Sequence, residues 1–535
     1  MTFRSARRLT LFAATLALSC PAVAATTDLS AYMKARAADA DGAVDAAARD
    51  YARALAAAPA DPVVAIRAYR EAVQAGDFAL ADRAAAVLAA RDVAPADAAL
   101  LALAGAARDH DRAAADAAIA RLEDEQLRVL AAPLRAWAAL EAGGDAFAPL
   151  ATAPPDAVSK RFVAETRALL LIATRRTDEG LTALRVLLGN DLSSQDNRVA
   201  AARLLIGQGR VEAARALLVG ADAQIAALRV RVADPSQGVR PTLAFGASHL
   251  FTRVASDLAV GRPGPLSFTL LQAALRADPA NDRARMLLAG LLAKDGAVDR
   301  ALAVLDRVPA GSIYAGITAS GRVQMLADAG RNDEALAVAQ RLGAAPDAPV
   351  DDVQRLADLY MRLGRAADAV PSYRQLVERA DANPDWASWL QYGAALDESG
   401  RWPEARKALE RAVQLGPTEP LALNYLGYAL TEHRERLSAA QKLLERAAAL
   451  RPDDAAIADS LGWAFFMRGK HARALPLIEQ AVTADPANAE IGEHLGDVYW
   501  QLGRRYEARY AWTAARETAP VEEAMRLNGK IADGL

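Results

Sequence analysis

Cysteine is nearly absent from this 535-residue chain, where Cys20 stands alone. With no second thiol there is no disulfide framework, and stability must come from packing. Aromatic residues make up only 5% of the chain, within a hydrophobic content of 53% that is rich in alanine. That balance disfavours a globular core of large side chains and favours closely stacked helices, which accept small ones. Histidine is equally sparse. His110, His249, His433, His471 and His494 never fall at metal-ligand spacing from one another. Asp109, His110 and Asp111 are adjacent, and three consecutive helical residues cannot face one ion, so they read as a solvated turn. No glycine-rich phosphate loop and no Gly-x-Ser-x-Gly elbow occurs. The acid pairs Asp351-Asp352 and Glu522-Glu523 stand where helices are expected to begin, which suits the helix dipole. No catalytic residue, cofactor or metal is expected.

The N-terminus reads as an export signal. Arg4, Arg7 and Arg8 precede a short apolar run from Leu9 to Leu18, and Ala22-Val23-Ala24 fits small-x-small cleavage, making residues 1–24 a signal peptide. The run is shorter than the roughly 20 residues of a spanning helix. A second reading places a lipid anchor on Cys20, giving an outer-membrane lipoprotein; Leu18 stands one place too near the cysteine for the usual lipobox, and Pro21 follows it. Cleavage after Ala24 removes three arginines and no acid, taking the formal charge from −3 to −6. A mildly acidic exported chain is a poor partner for nucleic acid. No transmembrane segment is expected, and the location is periplasmic.

One helical pattern then returns through the chain, most sharply over residues 386–520. Leu461, Gly462, Phe465, Gly469, Ala474, Ile478, Ala481 and Pro486 recur 34 residues later as Leu495, Gly496, Tyr499, Gly503, Ala508, Trp512, Ala515 and Pro520. Tyr392, Gly393, Leu396, Gly400, Ala405, Leu409, Ala412 and Pro417 form an earlier copy. Leu426, Gly427, Leu430, Ala440, Leu444, Ala447 and Pro452 form another, with one extra residue in its turn. This period and residue order resemble the tetratricopeptide repeat (TPR). The resemblance implies an all-α, right-handed superhelical solenoid of stacked helical hairpins. Residues 25–233 read as degenerate repeats, 234–266 as an irregular joint, 267–345 as middle repeats, 346–520 as a well-defined block and 521–535 as a capping helix. Residues 32–55 and 459–512 resemble proteobacterial periplasmic or outer-membrane-associated TPR proteins, among them the adaptor lipoprotein of a carboxyl-terminal processing protease. The resemblance implies a non-enzymatic adaptor or scaffold. Delivery of substrates to a protease is one expectation, and service in a polysaccharide or cell-wall assembly complex is the alternative.

Within each repeat, position eight is small so that the two helices approach, and position twenty-four is large to fill the gap to the next repeat. In the TPR family the partner groove runs along the first helices. By offset it takes Asn424, Tyr428, Thr431 and Glu432 in one repeat, then Asp459, Trp463, Phe466 and Met467, then Glu493, Asp497, Trp500 and Gln501. Aromatics mixed with carboxylates suit an apolar or basic peptide or loop as protein partner. TPR domains that clamp a peptide carboxylate use basic groove residues; this chain puts acids there.

Overall fold

The computed structural model describes residues 29–123, 127–189, 191–220, 222–259, 264–345, 348–379 and 384–535. Residues 1–24, with Cys20 and the expected cleavage site, lie outside this set. Among the described residues there are 29 α-helices, three short 3-10 turns and no strand, the expected all-α solenoid of hairpins. None of these helices is long and apolar enough to cross a membrane. The chain divides into two compact units, Met1–Thr318 and Ala319–Leu535.

In the second unit successive hairpins stack on their neighbours. The last four pairs are Trp386–Glu398 with Trp402–Leu415, Pro420–Glu432 with Leu437–Leu450, Ala455–Met467 with His471–Ala484, and Ala489–Gln501 with Arg505–Thr518. The helix Val521–Asp533 closes the row. Each first helix is stopped by local chemistry. Gly469 and Gly503 take φ of 72° and 77°, a left-handed turn that costs glycine little. The longer turn of the second pair manages without glycine, through Arg434 and Arg436 at φ 51° and 48°. Asp454 and Asn488 then cap the next first helices by accepting from Ile457 N and Ile491 N at 3.2 and 3.3 Å.

Position eight is small for a concrete reason. A Cβ on Gly462 would meet Ile478 at 2.5 Å, and one on Gly496 would meet the Trp512 indole at 2.2 Å. The large residue at position twenty-four therefore lies over the glycine of its own hairpin. The same added Cβ would lie 3.2 Å from the Ala440 carbonyl oxygen at Gly427 and 3.3 Å from that of Ala474 at Gly462, so the backbone is close as well.

The first unit is built differently. The helix Leu243–Leu258 lies within the span 234–266 expected as an irregular joint, and together with Pro265–Ala277 it packs against helices far earlier in the chain. Gly246 lies beneath Trp137, where a Cβ would sit 2.2 Å from the ring. Thr269 donates to Asp97 at 2.7 Å, 172 residues away, and Arg276 holds both oxygens of Asp82 at 2.7 and 2.6 Å across 194 residues. Arg253, fully buried, faces Glu165 at 3.3 Å and Asp257 at 3.5 Å. The N-terminal hairpins are thus closed over a later helix pair by charge-assisted bonds as well as apolar packing.

Candidate functional site

The first helices of the last three hairpins lie side by side, and their stacking gathers side chains from positions a repeat apart. Trp463 occupies the centre. Its ring is stacked on Phe466 one turn along the same helix, with centroids 4.6 Å apart and planes at 9°. It is also stacked on His494 of the next hairpin, at 3.9 Å and 12°. With both faces covered, its free handle is the indole N–H, which donates to Glu432 of the preceding hairpin at 2.6 Å. His494 in turn meets the Asp459 carboxylate at 2.9 Å through Nδ1. Burial would lower the His494 pKa, but Asp459 prevails, so the imidazole is held above its ordinary value. Tyr428 bonds to Glu490 two hairpins on. Burial first, then Glu490, push the phenol up and keep it a donor.

The same set of groups occurs once more. Trp402 is stacked on His433 at 4.0 Å and 13°, His433 meets Asp397 at 2.7 Å, and Trp402 Nε1 donates to Glu435 at 2.9 Å. In that outer copy the histidine is exposed, whereas His494 and Asp459 are buried at 6% and 4% exposure. Stacked rings with acids at their edges suit cations and apolar groups, and in the second copy Glu435 already holds Arg406 and Arg436.

The end of the row is already covered by the terminal helix. Lys530 Nζ lies 2.6 Å from Glu493 and 2.7 Å from both oxygens of Asp497, and Arg526 reaches Glu493 at 2.6 Å. Trp512 Nε1 donates to Asp497 at 2.9 Å. The two acids answer differently: burial raises Asp497 despite these partners, while for Glu493 the cations Lys530 and Arg526 outweigh burial and lower it. Trp500 lies under the chain end, where a Cβ on Gly534 would meet its ring at 2.0 Å, and Arg505 and Arg509 sit 5.0 and 5.2 Å from its centroid. Leu527, fully buried, anchors this helix, while Met525 is 70% exposed.

The residues expected from the repeat offsets therefore fall into two groups. Asp459, Trp463 and Phe466, with Glu432 and His494, are joined in one stacked and hydrogen-bonded set, and Tyr428 bonds separately to Glu490. Glu493, Asp497 and Trp500 are bound to the terminal helix and its flank. Asn424 is half-buried, and its side-chain oxygen is buried without a hydrogen-bond partner. Glu490 and His494 were not among the expected residues. Glu490 stands on the first groove offset of its repeat, so its signal was present. His494 is one residue past Glu493, and only stacking of two hairpins brings it to Trp463. Arg526 and Lys530 carry no repeat signal at all. Among the described residues no three His, Cys, Asp or Glu side chains are placed to hold a metal ion.

A tetratricopeptide-repeat family model matches residues 355–420 and 426–489, and a second one matches residues 268–311. The chain carries tetratricopeptide repeats in these stretches, which together span less than half of it. No curated relative matches the chain. Among solved structures it is similar to TTC0263, a thermophilic TPR protein of Thermus thermophilus. The identity is 22%, the match covers 35% of this chain and 98% of that one, and the TM-score is 0.31. It is also similar to MamA of Desulfovibrio magneticus RS-1, at 20% identity, 33% and 96% coverage and a TM-score of 0.28. MamA of strain AMB-1 follows at 24% identity, 32% and 98% coverage and a TM-score of 0.27.

Proposed function

We propose that this chain is a non-catalytic scaffold, which holds a basic or apolar segment of a protein partner on the first helices of its C-terminal repeats. One observation carries the reading. Lys530 and Arg526 of the terminal helix are seated on Glu493 and Asp497, so the acids of this face already accept cations presented by a helix. Tyr428, Glu432 and Glu490 continue the same chemistry beyond that helix. The basic n-region, apolar run and small-x-small site at residues 1–24 support export, with the periplasm as the place of work. Within the envelope the finer role is that of an adaptor bringing proteins to a processing protease.

Crosslinking in cells followed by affinity purification tests the whole reading. The intact chain is expected to retain a protease complex, and a Tyr428→Ala, Glu432→Gln variant to lose it while keeping its helix content. Recovery of synthase or export subunits in place of a protease would move the role to cell-wall or polysaccharide assembly. Retention of every partner by the variant would remove this face from the function.

A further inference from the structure

We infer that the first unit contains a binding site for a compact polyanion, a small molecule bearing two or more phosphate or carboxylate groups. The site is a cavity of about 400 Å³ at the seam where the N-terminal hairpins meet the 282–305 pair. Arg108, Arg276, Arg285, Arg300 and Arg307 line it, opposed among the described lining residues by one carboxylate, Asp45. The chain as a whole is slightly acidic, so this gathering of guanidinium groups is local and not a matter of composition.

Helix ends explain only part of it. Arg108 and Arg276 lie in the last turns of their helices, where the dipole welcomes a cation. Arg285 and Arg300 lie in the first turns of the helices Asp282–Lys294 and Val298–Leu305, where the dipole opposes one. Three arginines have acidic neighbours: Arg276 has Asp82, Arg108 has Asp109 and Arg285 has Asp282. Arg300 donates to a neutral acceptor, the carbonyl of Gln74, and is attracted by the nearby half-buried Glu71 carboxyl. A guanidinium has five donors, so a pair with one carboxylate leaves others over. Arg276 illustrates this. It is 8% exposed, its guanidinium lies 5.3 Å from the centre of the Phe78 ring, and its buried Nε has no hydrogen-bond partner. Converging cations raise one another's energy, and the repulsion grows as water is excluded. An oxyanion ligand relieves it, and arginine forks match phosphate and carboxylate oxygens two at a time. The volume fits a compact metabolite-sized ligand.

The position gives the ligand a consequence. The Arg300 bond to Gln74 joins residues 226 apart, so an anion held between Arg300 and Arg276 fastens the seam of the first unit.

The test is calorimetric titration of the full chain at low salt with pyrophosphate and, separately, with citrate. Saturable one-to-one binding is expected, weakened at least ten-fold in the Arg300→Gln, Arg307→Gln double variant. An Arg446→Gln variant, in the second unit, should bind as the parent does. Binding of pyrophosphate alone identifies a phosphate ligand, of citrate alone a carboxylate ligand, and of both a site that reads charge. Helix content by circular dichroism checks the double variant. Should it unfold, Arg307→Gln alone, at an exposed position, serves instead, with a three-fold loss expected. No saturable binding of either anion, or binding unchanged by the substitutions, overturns the inference.

Discussion

Trp463 and His494 lie face to face, 3.9 Å apart, with the imidazole tied through Nδ1 to Asp459. The indole thus fixes the ring that the carboxylate charges, and the face of the second unit is coupled to proton concentration. The folded His494 pKa is raised above the ordinary value of about 6.5, with Asp459, Glu490 and Asp497 as the acids responsible. A raised value means that the stabilisation is complete below the unfolded pKa and fades as pH rises through the folded one. The thermal midpoint of the parent should exceed that of His494→Gln most at about pH 6, and the gap should shrink toward about pH 9. A gap that stays constant or widens with alkali contradicts this account.

His249 of the first unit runs the opposite way. Burial, then the Arg253 guanidinium, hold its pKa down to about 3, and its ring bonds to Asn197 at 3.0 Å. The unfolded chain takes up this proton from about pH 6.5 downward while the folded unit refuses it, so stability is present above that value and is lost on acidification toward about pH 3. Urea unfolding followed through Trp137 fluorescence should show the parent losing more stability between about pH 7 and about pH 4.5 than His249→Asn does. Equal losses would assign the acid sensitivity elsewhere.

Gly496 carries the full width of an indole. A methyl group there would sit 2.2 Å from Trp512 Nε1, and neither helix can move without disturbing Asp497, which the same nitrogen bonds. Gly496→Ala should cost about 1–3 kcal/mol, the range for overpacking a filled core. Denaturant titration reports the loss, and an altered Trp512 emission locates it.

Lys530 bridges two acids that are 7% and 9% exposed at their side chains, and Arg526 supplies the second positive charge. Lys530→Ala strands Asp497, and breaking a buried pair from one side costs about 3 kcal/mol. The loss should appear locally, as faster hydrogen exchange over residues 521–533. Lys530→Arg should restore most of the protection. Unchanged exchange in Lys530→Ala would mean that Leu527, with the Arg526–Glu493 pair, holds the helix without Lys530.

The C-terminal hairpins were legible in the sequence because their demands are local. Gly462 and Ile478 are sixteen residues apart, and that spacing returns as Gly496 and Trp512 and as Gly393 and Leu409. The offsets likewise reach Tyr428, Asp459, Trp463 and Phe466, since a groove position is a helix position. What they miss arises from one hairpin meeting another, or from the terminal helix folding back. His494 gains its role only from Trp463 above it, and Lys530 only from Glu493 and Asp497. The first unit was the least legible. Arg276 and Asp82, or Gly246 and Trp137, are separated by too much chain for any period to link them, and alanine-rich helices pack on many partners equally well.

The closure of the first unit also sets an order of events. Hairpins that touch only their neighbours can form one after another as a chain appears, each adding to the last. The bonds from Thr269 to Asp97 and from Arg276 to Asp82 cannot form until the chain has been made as far as residue 276. Closing such long loops before any contact rewards them is slow. The N-terminal helices therefore lack these contacts until a segment made much later arrives. For export as proposed above, that delay prolongs the unfolded, threadable state, while the repeats that follow are ready to fold as soon as they arrive.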